Sequence, residues 1–158
     1  MINDFIAKKL GEVLSFANVS TDTYERGRAT LIAVIGAERV ADIEEKNRIH
    51  GEELMRIATD AGVIDAVLTK ATSDARELMK MRELYIANNW DAANEILEWS
   101  GFAEGAAIVH WGLIRGAAET LNNEALLTLC EEAINWHYEL LEMAESELGS
   151  IGQDKATA

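Results

Sequence analysis

Three histidines are the residues best placed to do chemistry in this sequence, because each falls midway along a different stretch of helical apolar spacing. His137 lies in the row Leu126, Cys130, Ala133, His137, Leu140, Ala144, Leu148, which has no charged member. His110 belongs to Ala103, Ala107, His110, Ile114, Ala117, Leu121, and His50 to Val40, Ile43, Asn47, His50, Leu54, Ile57, Ala61. Glu53 sits one turn beyond His50 at the edge of the same face. Asp74 is the only carboxylate in a fourth row: Val67, Ala71, Asp74, Leu78, Met81, Tyr85.

These positions share a height if the helices run alternately up and down. Each helical residue rises about 1.5 Å, and His50, His110, His137 and Asp74 stand twelve to fourteen residues from the nearest turn at one end, roughly 18–21 Å. Three imidazoles with a carboxylate from Asp74 or Glu53 make a ligand set for iron, manganese or zinc, and one too poor in oxygen for calcium. The competing use is a polar layer that fixes helix register, with His50 paired to Asp74 or His110 to His137. Asp74 and Glu77 after Thr72-Ser73 also match a capping box. Glu38 or Glu104 could point inward on their helices, but both are read as solvated, like most of the acidic side chains around them.

The elements that would carry these residues are helices. The chain has 158 residues, no proline, and no stretch of strict two-residue alternation. The spacing predicts a helix over 2–17, a cap zone at Ser20-Thr21-Asp22 opening a long helix to 61, and a stop at Gly62. Further helices follow over 64–88, 91–99, 102–121 after a bend at Ser100-Gly101, and 124–148 after a turn at Asn122-Asn123. The expected fold is all-α, an up-down-up-down four-helix bundle with an extra N-terminal helix packed outside it. Residues 1–149 form one domain, and 150–158 are expected to fray as a flexible C-terminal tail.

Composition removes several classes of function. Fourteen basic residues against twenty-eight acidic ones leave a net charge of −14, which opposes nucleic acid and anionic membrane surfaces. Cys130 is alone, so no internal disulfide or Cys-rich zinc motif forms. Charged residues at 4, 8, 9 and 12 spoil a secretory h-region, and a cytoplasmic location is expected. No Gly-rich nucleotide loop or acyl-transfer nucleophile stands out.

The stretch Phe102 to Ile114, followed by Ala117, Ala118, Glu119 and Leu121, resembles the third helix of the small stress-associated bacterial members of the ferritin-like superfamily. The segment His50, Gly51, Glu52, Glu53, Leu54 is similar to their second helix. The resemblance covers about residues 22–148 and implies a carboxylate-bridged di-iron site with Glu-x-x-His on two helices. Here the residues three before the histidines are Asn47, Ala107 and Ile134. A mononuclear His-rich site, or a bundle that has lost its metals, fits these residues better. The expected function is therefore a metal-binding bundle of ferritin-like type, with a non-haem iron or other transition metal of the oxidoreductase kind held by His50, His110, His137, Asp74 and Glu53. The alternatives are a non-catalytic stress or accessory protein whose histidine layer is structural and metal-free, and a haem bundle with His110 and His137 as axial ligands. A homodimer is the expected assembly.

Overall fold

The first helix starts where Asn3 caps it, its side chain accepting from the Ile6 N–H at 3.0 Å. In the computed structural model, which describes residues 1–158, six helices follow one another with no strand between them. They are α1 (Asp4–Arg26), α2 (Arg28–Ile35), α3 (Ala37–Asp60), α4 (Ile64–Ile86), α5 (Ala93–Leu121) and α6 (Glu124–Thr157).

Three boundaries differ from the sequence reading. Ser20-Thr21-Asp22 lies inside α1 and opens nothing: Thr21 and Thr23 donate back to the Ala17 and Val19 carbonyls at 3.0 and 2.6 Å. Hydroxyls spent along the helix are not free to cap one. The chain breaks instead at Gly27 and Gly36. Gly36 takes φ +85° and ψ 155°, a conformation that a side chain would strain, and it separates α2 from α3. Second, α5 runs unbroken through Ser100-Gly101, where Ser100 Oγ donates to the Ile96 carbonyl at 2.8 Å. Third, α6 passes Gly149 and stays helical to Thr157, across the segment expected to fray. The stops at Gly62 (φ +72°) and at Asn122-Asn123 fall where the sequence puts them.

Packing sorts the helices by direction. One apolar cluster gathers the beginnings of α1, α4 and α6 with the ends of α3 and α5, including Leu10, Leu54, Val67, Ile114 and Leu126. A second gathers the opposite ends with α2, including Tyr24, Leu31, Ile43, Ile96 and Leu140. Hence α1, α4 and α6 point one way, and α3 and α5 the other. Around the core, α1 packs on α3 and α5, and α6 on the same two helices. The extra helix is α4, which lies along α1 with smaller contacts to α5 and α3. This corrects the expectation of an N-terminal helix outside the bundle: Ala7, Leu10 and Leu14 of α1 are buried in the first cluster. At its far end α4 is tied to α1 by Arg82, only 3% exposed, which donates to Asp22 Oδ2 at 2.6 Å and Thr23 Oγ1 at 3.0 Å.

Candidate functional site

Between the two apolar clusters lies a layer of buried polar side chains drawn from α1, α3, α5 and α6. Its centre is a hydrogen-bonded pair: His137 Nδ1–H of α6 donates to Glu104 Oε2 of α5. Glu104 is 4% exposed and His137 9%. Ser100, one turn before Glu104, and Tyr24 of α1 continue the layer. Burial pushes the Tyr24 hydroxyl well above its usual range, the Glu104 charge adds to this, and a hydrogen bond with Ser100 offsets part of it. On the α3 side, Asn47 Nδ2 donates to Ser20 Oγ of α1 at 2.9 Å.

His50 of α3 borders the same layer. Burial lowers its pKa from 6.5 to about 4, reinforced by the charges of His137 and Lys46. Its ring is therefore neutral at pH 7. The unfolded chain binds the His50 proton near pH 6.5 and the folded one only near 4. Stability is thus complete above pH 6.5, falls as the pH drops through this window, and is fully lost for this group below 4. With solvent screening of a half-buried ring, the loss between pH 7 and 5 is on the order of 1 kcal/mol. Denaturant unfolding at the two pH values should show it in the native chain and not in His50→Gln.

His110 points elsewhere. Its Nδ1–H donates to the Ala106 carbonyl at 2.8 Å, and its Nε2 lies 3.4 Å from Glu12 Oε2 of α1. Phe16 meets its ring edge-on at 5.2 Å. These groups line a cleft of about 330 Å³ between α1, α4 and α5, together with Lys9, Asp74 and Met81. Three lysines pair with its carboxylates: Lys9 Nζ donates to both Glu12 oxygens at 2.8 and 2.9 Å, Lys70 Nζ stands 3.0 Å from Asp74 Oδ1, and Lys80 Nζ donates to Glu77 Oε1 at 2.9 Å.

The five residues read from the sequence as one ligand set are accordingly distributed over three places. His50 borders the buried layer that holds His137, near enough to feel its charge. His110 and Asp74 share the outer cleft. Glu53 lies on the surface, bound to Arg56 at 2.6 and 2.9 Å, which holds its carboxyl below the usual range. No three of the His, Cys, Asp and Glu side chains gather closely enough to hold a metal ion. His137 does not line the His110 cleft, so no common cavity places the two rings as axial ligands of one haem. Nor do the alternative pairings form: His50 bonds no Asp74, and His110 no His137.

Known families, curated proteins and solved structures were all compared with this chain. None of them matches it. No helix is long and apolar enough to cross a membrane.

Glu104 is the residue the sequence reading set aside. It belongs to a second row on α5, Leu97, Ser100, Glu104, Ala107, Trp111, Ile114, Ala118, all buried. That row lies about 60° of helix rotation from the one through His110. A carboxylate three residues before Ala107 and seven before Trp111 was the available signal. Cys130 is buried in the first apolar cluster, and burial pushes its thiol up to about 12, which leaves it inert as a nucleophile.

Proposed function

We propose that this chain is a non-catalytic helical bundle of ferritin-like type, its core helices α1, α3, α5 and α6 running up, down, down and up. It keeps the architecture without the di-iron chemistry and acts through its surface as a stress or accessory protein. The observation carrying the reading is that Glu104, the only deeply buried carboxylate, is committed to His137. A di-iron set needs four carboxylates and two histidines in register. The positions three before the histidines hold Asn47, Ala107 and Ile134, and the remaining acidic candidates are matched by Lys9, Lys70 and Arg56. These residues do not fit the di-iron group. The buried pair and the Asn47–Ser20 bond serve instead to fix which helix faces meet, since a slip by one turn would leave each of them unsatisfied.

A second reading is favoured by the neutral His50 ring. Two imidazoles and one carboxylate, His50, His137 and Glu104, are the donor types of a mononuclear non-haem iron site, and metal binds imidazole in its neutral form; as the three do not gather closely enough to hold an ion, binding would have to draw them together. One experiment separates the readings. Melting temperature is measured on metal-free chain with and without iron(II), manganese(II) or zinc(II), alongside elemental analysis of protein purified without an affinity tag. The first reading expects no stoichiometric metal and no rise in melting temperature. A stoichiometric metal that raises it by several degrees, and is lost in both His50→Ala and His137→Ala, would replace the first reading with the second.

A further inference from the structure

Between Phe102 and Gly116 the outer face of α5 is uncharged, in a chain where 27% of residues are charged. Along it lie Phe102, Gly105, Ala106, Val109, Gly112, Leu113 and Gly116, at the spacing of one continuous helix face. Phe102 is 58% exposed, Val109 66% and Leu113 43%. The three glycines have nothing within 4 Å of where a Cβ would stand, so no contact inside the protomer requires them. Each costs about 0.5–1 kcal/mol of helix stability relative to alanine.

The face is complementary to itself. Phe102 stands seven residues before Val109 and Gly116 seven after; Gly105 stands four before and Leu113 four after; Ala106 and Gly112 are three away on either side. If two copies of α5 cross antiparallel with Val109 on the two-fold axis, each Phe102 faces a glycine of the other copy. Each Leu113 does the same, and small residues meet between them. A two-fold contact demands this pattern, in which residue i meets j and j meets i.

We infer that α5 is the interface of a homodimer, formed by a second copy of this chain packed antiparallel across Val109. Charge selects the place, because two molecules of net charge −14 repel over most of their surface and meet most cheaply where neither carries charge. Area sets the strength. The stripe from 102 to 116 is about 21 Å long. Phe102 leans on the buried Trp99 (ring centroids 5.8 Å apart), which anchors its ring at one end of the stripe. A stripe of this length and one helix wide falls below the ~1,000 Å² of total burial at which contacts become strong, which makes the dimer weak and concentration-dependent. The α5 contact is independent of what the buried polar layer binds.

Sedimentation equilibrium of the full chain up to about 100 µM should resolve a monomer–dimer equilibrium. Val109→Glu places two carboxylates on the axis and should weaken the dimer more than about tenfold, with unchanged far-UV circular dichroism because Val109 supports nothing in the monomer. Val109→Cys should cross-link under a copper–phenanthroline oxidant, since a disulfide forms when two Cα atoms come within about 7 Å. Ile49→Cys, on α3, should not. A native chain that stays monomeric over this range overturns the inference. So does a dimer that survives Val109→Glu, or a Val109→Cys variant that cross-links no faster than Ile49→Cys.

Discussion

Glu104→Ala is expected to lower the unfolding free energy by about 3–5 kcal/mol, read as a fall in the denaturant midpoint at constant slope. The substitution leaves the His137 Nδ1–H buried with no acceptor and opens a cavity between α5 and α6. His137→Ala should cost a similar amount for the mirror reason, a carboxylate left without its donor. Glu104→Gln keeps an acceptor at the same reach and should cost about 1–2 kcal/mol. The informative variant is the double replacement Glu104→Leu with His137→Leu. A buried polar pair of this kind recovers through mutual attraction little more than it loses by leaving water, so two well-packed leucines should return the chain to within about 1 kcal/mol of the native value. Single losses that are large beside a small double loss identify the pair as a specificity device. If Glu104→Ala costs less than about 1 kcal/mol, the layer does not hold the helices in register, and the proposed structural role fails with it.

What could be read of this molecule in its sequence follows from how unambiguous each helix face is. In α6 the row through His137 has no charged member, and the structure buries that face, including His137 itself. α5 offered no such guide. Between Phe102 and Ala118 its only charged or titratable residues are Glu104, His110 and Arg115, so nearly every direction around it is apolar and periodicity selects no single inner face. The sequence favours the row through His110 and reads Glu104 as solvated, and the structure buries the row through Glu104 instead. The ambiguity has a physical source if α5 buries one face in its own protomer and offers another to a second copy.

The exchange of α1 with α4 has a different origin. Without proline, a break between helices must be read from glycine, and Gly27 and Gly36 lie in a stretch whose apolar spacing persists on both sides. Reading one helix from 22 to 61 removes a reversal of the chain. Restoring the break at Gly36 turns α3 back along α1, fills the fourth place in the core with α1, and moves α4 with Asp74 to the flank. The common height inferred for the four side chains depended on the direction and place of every helix. Asp74 therefore ended in the cleft beside Lys70.

The contact that fixes α4 in its flanking place is tight enough to give the second large effect. α1 and α4 meet at Gly11, where an added Cβ would stand 2.6 Å from Lys70 Cβ and 2.7 Å from the Val67 carbonyl oxygen. Neither obstacle can rotate away, since one is the first atom of a side chain and the other is backbone. Gly11→Ala must force the two helices apart. Overpacking of this kind costs about 1–3 kcal/mol or more, and the helix-propensity gain of replacing glycine returns at most ~1. A net loss of about 2 kcal/mol is expected, a fall in melting temperature of roughly 4–8 °C for a chain of this size. Gly149→Ala provides the opposite sign. It lies within α6 with nothing near its Cβ position, so alanine there should stabilise by about 0.5–1 kcal/mol if the helix continues to Thr157. Equal effects at the two sites would mean that helix propensity alone governs both. In that case α4 is not held against α1 at Gly11, and the cleft lined by Glu12, Asp74 and His110 loses the contact that sets its width.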